Sequence, residues 1–341
     1  MITISRDFVD KIRAATKPED LHEMVQAAIT LELATIPPYL CAWCTLKPFT
    51  NDVVAGIIYD IVFEEMLHMT IMCNLLIALG GSPRIAYPDT VPTYPCKLPM
   101  SVGNSVVVHL RKCSLTQIEK VFMEIEKPEK PINFRQLMAV QYATIGEFYR
   151  ALVAKLEELG DTAFKKENFD KEVIVDRFGD DVNFRIVDVG TARRAILDVI
   201  VLQGEGTTVS PTDAKGQLAH YYQFQQIVVG KELVKDSSPK GWSFSGKELK
   251  IEADDVWNMD DDPKAANYPA GTASRAAADK FNTQYSSILR GLEGAFNGDP
   301  ASIDGAISQM YSLTETAQEV LAVPSPLAAG TQTGLSFEFV P

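Results

Sequence analysis

From Ile61 to Cys73 the chain reads IVFEEMLHMTIMC, apolar throughout except for Thr70 and three ionisable residues, Glu64, Glu65 and His68. No other stretch constrains the fold as strongly. Ile58, Ile61, Glu65, His68, Met72, Leu75 and Leu79 recur in steps of three and four, the period of one helix face. A fold that buries this face also buries a carboxylate and an imidazole. An unpaired buried charge is costly, so these groups require an opposite charge, a hydrogen-bond network or a metal ion. The helix is expected over 52–79, stopped by Gly80-Gly81 with Pro83 beyond. Glu64 falls off the stripe and is read as a surface residue or one standing behind the ligands.

Three further long helices are legible. The first covers 18–46, with Asp20 able to cap it and Leu21, Val25, Ala28, Glu32 and Thr35 on one stripe. Pro37-Pro38 is expected to kink or break it, because each proline removes a donor and crowds the preceding turn. The third spans 133–159 and ends at Gly160. The fourth starts at Thr191, is interrupted after Gln203 by GEGTTVSPTDAKG, and resumes over 217–233. Between the second and third, prolines 83, 88, 92, 95 and 99 imply an extended excursion. A short strand, SVVVHL (105–110), and a helix over 114–126, begun by Ser114-x-x-Gln117, follow. Residues 235–271 read as loop, 273–296 and 301–322 as helices, and the polar tail as surface. The fold class is therefore mainly α. A four-helix bundle occupies 1–235, with an insertion at about 81–132. A loop-rich segment and helical hairpin, 236–341, pack on it.

Composition removes several classes of function. The 341 residues carry a net charge of −13 without a compensating basic block, which disfavours nucleic acids and anionic membranes as partners. The N-terminus lacks the pattern of a secretory signal, and no uninterrupted apolar run approaches the roughly 18 residues of a membrane span. Cysteines at 41, 44, 73, 96 and 113 are odd in number and scattered, which suits a reducing, cytoplasmic setting. The CAWC at 41–44 lies in a helical context and reads as packing, not a redox pair.

Bundle cores are where carboxylate-bridged dimetal sites are built, from a Glu on each of two helices and a Glu-x-x-His on each of the others. Residues three apart share a helix face and can reach one metal. Glu65-x-x-His68 supplies one such pair, Glu32 and Glu147 the single carboxylates. Glu205 and His220, either side of the interruption, supply a split second pair. Gln217 has the right spacing to His220, but its neutral amide is a poor ligand for a hard cation. His22 reads as exposed and His109 as a residue for packing or hydrogen bonding. Hard oxygen donors with one imidazole per ion suit two iron ions, or manganese. Glu65, His68 and Glu147 are the candidate catalytic residues.

The segments LELATIPPYLCAW, EEMLHMTIMCNLLIALGG, YPCKLP, FMEIEKPE, QGEGT and LAHYYQFQQIVVGKEL resemble the ferritin-like domain of the iminophenyl-pyruvate dimer synthase family, which includes the chromopyrrolate-type synthases. NMDDDPKAANYPAG, FNTQYSSILRGLEGAFNG and AISQMYSLTETA resemble the part that follows it there, so the likeness covers residues 20–340. The resemblance implies an iron-dependent oxidative enzyme of secondary metabolism that uses O2 on a small amino-acid-derived molecule. Oxidative coupling of α-imino acids and non-enzymatic iron handling are the alternatives. An upstream amino-acid oxidase that supplies an imine and assembly into a homo-oligomer are partners to test, and the sequence leaves the oligomeric state open. Gln217 stands where several relatives are acidic, so a complete six-ligand set is a point to test.

Overall fold

The computed structural model of the chain describes residues 3–102, 106–128, 143–205, 210–213, 215–237 and 241–341. Nine helices carry its main-chain framework among these residues. They are α1 (Arg6–Ala14), α2 (His22–Thr45), α3 (Asp52–Ala78), α4 (residues 115–125), α5 (Ile145–Leu159), α6 (residues 189–205), α7 (His220–Val229), α8 (Ala273–Phe296) and α9 (Ile303–Leu321). The bundle is formed by α2, α3, α5 and the α6–α7 pair, with α4 against α7 and α1 against α5. One large apolar core runs from Val9 to Phe337, so the C-terminal hairpin α8–α9 shares it with the bundle; Ala265, Tyr268 and Ala278 form a small cluster apart. The helix expected from residue 133 is described from Ile145; the positions before 143 lie outside the described residues.

Helices α2, with the turn before it, and α3 are long and apolar enough to cross a membrane, although neither is an unbroken apolar run. Their most apolar windows are 78% and 83% buried within the protein, which accounts for that character as core packing. Asp20 accepts hydrogen bonds from the backbone N–H groups of Thr16 (2.9 Å) and Lys17 (3.2 Å) and so closes the turn entering α2. Of the expected kink or break, a break does not occur: α2 continues through Pro37 and Pro38. Pro38 cannot donate to the carbonyl of Ala34, four residues back. The buried Tyr94 hydroxyl donates to that oxygen instead, at 2.7 Å. The replacement donor comes from the proline-rich excursion, out of sight of any local reading.

That excursion is pinned on both sides. Gln26 of α2 exchanges two hydrogen bonds with the backbone of Arg84, and Glu293 of α8 accepts from the N–H of Ile85 at 2.6 Å. The expected strand at 105–110 is reduced, among its described residues, to one bridge between Val108 and Cys96. Ser114 does cap α4, its Oγ accepting from the Gln117 N–H at 3.1 Å. The Gln117 side chain turns away to the His109 carbonyl, so the reciprocal half of the box is absent.

Two other expectations are corrected. Helix α7 stops at Val229 because Gly230 adopts φ 78°, a left-handed helix end. The chain then forms an antiparallel hairpin, β3 (Lys231–Lys235) with β4 (Trp242–Glu248), where helix and then loop were expected. The tail is not all surface: Thr333, Leu335, Ser336 and Phe337 are buried, and Phe337 packs edge-on against Phe281 and Tyr285. Two apolar residues two positions apart bury this extended strip; Ser336 donates to Asn282, while the Thr333 hydroxyl is buried without a partner.

Candidate metal centre

Four elements converge on one buried cluster. Helix α2 presents Glu32, Thr35 and Tyr39, spaced three and four apart and so on one face. Helix α3 presents Glu65 and His68, each at most 3% exposed. Helix α4 ends into Glu126, and His220 opens α7 with no exposed surface. Two groups of ligand-type atoms result, Glu32–Glu65–His68 and Glu65–Glu126–His220, each with its atoms within 4.8 Å of one another. Glu65 belongs to both. The two imidazoles lie nearly parallel, their ring centroids 5.5 Å apart.

Around these, a second set of side chains fixes orientation. Tyr149 of α5 donates to Glu32 and Tyr39 to Glu126, both at 2.5 Å, and the Thr35 hydroxyl donates to Glu65 Oε2 at 2.7 Å. His68 Nε2 meets Gln203 Oε1 at 2.9 Å, and His220 Nε2 meets Glu64 Oε2 at 2.8 Å. Each imidazole is thereby held through Nε2, which leaves Nδ1 facing the carboxylates. His220 Nδ1 is 2.9 Å from Glu65 Oε1 and 3.4 Å from Glu126 Oε2, yet no hydrogen bond of proper alignment reaches it. His68 Nδ1 lies 3.7 Å from Glu65 Oε1 and 4.0 Å from Glu32 Oε2.

The electrostatics follow from burial. Burial and the Glu65 carboxylate push the Glu32 carboxyl up to about 8, against the opposing pull of His68 and Tyr149. Burial, then Glu126, raises Glu65. His68 is lowered by burial and by His220. Burial also works against charge on His220, but the facing Glu126, Glu64 and Glu65 carboxylates outweigh it and hold the imidazole well above its usual range. Among the described residues no Lys or Arg pairs with Glu32, Glu65 or Glu126. Three carboxylates face one another with only imidazoles and hydroxyls for company. A cation between them would relieve that repulsion, and the unsatisfied Nδ1 of His220 is a free lone pair or N–H aimed at the same point. The donor set fits two hard divalent ions.

Of the residues expected from sequence, Glu32, Glu65, His68 and His220 are brought together. Glu147 is not among them. It lies on the outer side of α5, its Oε1 3.0 Å from Arg13 Nη2. Its apolar sequence neighbours Gly146 and Phe148 are buried, but adjacent residues on a helix point about 100° apart, so their burial says nothing of Glu147. Tyr149, two positions on, is the residue that α5 turns inward. Glu205 closes α6, and its side chain lies outside the described residues. Gln217 is exposed and braces a turn through its N–H to Asp213 at 2.8 Å. From α6 the residue that touches the cluster is Gln203. Glu126 was missed because α4 is short and not one of the four long helices. A signal existed: Ile118, Val121, Phe122, Ile125 and Glu126 follow the buried-helix spacing, with a carboxylate completing an apolar stripe.

A helical bundle with buried, mutually facing Glu and His groups defines a carboxylate-rich metal-binding class of protein. A family model described as "Ferritin-like" matches residues 25–229, and the chain belongs to that family. A crystal structure of a ferritin-like protein from Caulobacter vibrioides is similar over 94% of this chain and 97% of that one, with a TM-score of 0.60 and 24% identity. That likeness is one of fold. No curated protein matches the chain.

Proposed function

We propose that the protein is a non-haem di-iron oxidase or oxygenase that uses O2 to oxidise a small amino-acid-derived metabolite. The observation that carries the reading is Glu65, shared between two carboxylate–histidine groups that lack any Lys or Arg partner among the described residues. Glu32, Glu65 and His68 would hold one ion; Glu65, Glu126 and His220 would hold the other. Bound iron supplies the electrons that reduction of O2 requires. The chain's own residues do the rest. Thr35, Tyr39 and Tyr149 fix the carboxylate oxygens, and Gln203 and Glu64 fix the imidazoles, which sets the geometry in advance. Tyr39 and Tyr149 also hold protons on hydroxyl oxygens 2.5 Å from carboxylate oxygens, a short path for returning them to a reduced product.

A cavity of about 60 Å3 adjoins the cluster, walled by Leu31, Val102, Ile125, Ile145, Ile200 and Val201. Apolar walls keep bulk water from the reacting groups. The wider π-type turns of α6, Arg194–Val201, supply two of these walls, and such turns often occur at functional sites. The substrate class rests on the sequence resemblance to imine-processing enzymes, as does an upstream amino-acid oxidase. Five free cysteines agree with a reducing compartment.

Anaerobic titration with ferrous iron tests the reading. We expect two equivalents for the native chain, one or fewer for Glu126→Ala, less than one for Glu65→Ala, and two still for Glu147→Ala. Native protein that binds no ferrous iron would overturn it. Oxygen consumption with candidate α-imino acids, and the fate of 18O label in the product, then separates oxygen insertion from simple coupling.

A further inference from the structure

On the opposite face of α2 and α3 from the metal-type cluster lies a second cavity, of about 120 Å3, closed over by α8 and α9. Its walls are almost wholly apolar, with Leu33, Ile36, Met66 and Met69 from the bundle and Leu289 and Ile307 from the hairpin. Leu33 and Met66 each adjoin a cluster residue in sequence, Glu32 and Glu65, yet face the other way. An engineered apolar cavity of about 150 Å3 holds one aromatic ring, so this slightly smaller one takes a single ring at most.

Most of the polar groups in the wall are hydroxyls of Thr70, Thr314, Tyr59 and Tyr311, and two further polar residues stand out. Tyr285 lines the cavity and is 6% exposed, and its hydroxyl has no hydrogen-bond partner. A buried hydroxyl without a partner is uncommon and calls for one that the protein does not supply. Arg177 also lines the cavity, is solvent-exposed, and lies 5.0 Å from the ring centroid of Tyr311, to whose hydroxyl it donates. Among the described residues no carboxylate pairs with Arg177. One uncompensated cation at the mouth and one unsatisfied donor within define the polar ends of a mostly apolar guest.

We propose that this cavity is a second ligand site, for an apolar, aromatic carboxylate that places its anionic group at Arg177 and offers a hydrogen-bond acceptor to Tyr285. It is separate from the metal centre and independent of the activity proposed there.

4-Acetylbenzoate is a suitable probe, with one ring, a carbonyl acceptor, an anionic end and light-driven hydrogen abstraction that couples it to nearby C–H bonds. Trp43, which lines the cavity, reports binding by fluorescence. We expect saturable one-to-one binding, with photolabel on Met66, Met69 or Met310. Ile307→Trp, which fills the space at a partly exposed position, should abolish it. Arg177→Gln should weaken the carboxylate at least tenfold while leaving neutral acetophenone unchanged. Tyr285→Phe should weaken the ketone probe at least fivefold and yet raise the melting temperature of the ligand-free protein. Glu65→Ala should leave binding intact, which separates this result from any failure of the iron reading. Non-saturable binding, labelling elsewhere, or full binding by a folded Ile307→Trp protein would overturn the proposal.

Discussion

Glu32 keeps its proton to about pH 8 in the metal-free protein, because burial and Glu65 both oppose its charge. A cation that binds there must displace that proton, so ferrous binding should release protons and tighten as pH rises from about 6 to about 8. A pH indicator in weakly buffered solution reads the release, and an affinity flat over this range would contradict it. Tyr149→Phe removes the 2.5 Å hydrogen bond to Glu32 without touching a ligand. Loss of such a supporting contact weakens metal binding by about tenfold or more, measurable by competition with a chelator. Cys41 and Cys44 belong to this scale as well. Burial pushes Cys44 up to about 12 and Cys41 well above its usual range, so neither offers a thiolate for redox chemistry.

At the scale of elements, α2 is the informative one. It passes through two prolines because the excursion returns a donor, Tyr94, to the carbonyl that Pro38 leaves unpaired. Tyr94→Phe should cost about 1–3 kcal/mol, the penalty for a buried acceptor left without a partner. In a Pro38→Ala background the residue 38 N–H can return to Ala34, and the cost of Tyr94→Phe should shrink. Urea unfolding of the four proteins measures this coupling; equal costs in both backgrounds would rule out the compensation. The same helix carries Glu32, Thr35 and Tyr39, so its continuity sets the register of the site. A break after Thr35 would separate Tyr39 from Glu126.

For the whole molecule, the connection between α5 and α6 carries a pH-dependent weakness. Glu172 is 2% exposed; it accepts the Ile186 N–H at 2.7 Å through one oxygen, and the other oxygen is unpartnered. Burial pushes its carboxyl up to about 8, against the Ile186 N–H and Arg185. The folded state therefore keeps a proton that the unfolded chain loses at about 4.5. Its contribution is neutral below that pH, falls by at most about 1.4 kcal/mol per unit as pH rises to about 8, and is flat above. Glu172→Gln should remove this slope, and should raise stability relative to the native chain most at about pH 8 and least at about pH 5. Thermal melts across that range check it; a difference independent of pH would refute it.

Helical periodicity in the sequence determined the long helices, and the stripes they carry brought Glu32, Glu65 and His68 to one interior. The spacing of apolar residues fixes which face is buried, and a carboxylate on that face has to be answered. His220 was legible for a weaker reason, as one half of a Glu-x-x-His pair split by an inserted loop. Only the tertiary structure decided the remaining members. It turned Tyr149 inward and left Glu147 on Arg13, because the rotation of α5 about its axis is set by packing and not by next-door neighbours. It brought Glu126 in from a short helix, and placed Glu64 on the far nitrogen of His220. It also closed α8 and α9 over the back of α2 and α3, a cavity that exists only where distant segments meet. Periodicity is a property of one segment, and a site built by several depends on how each is turned toward the others.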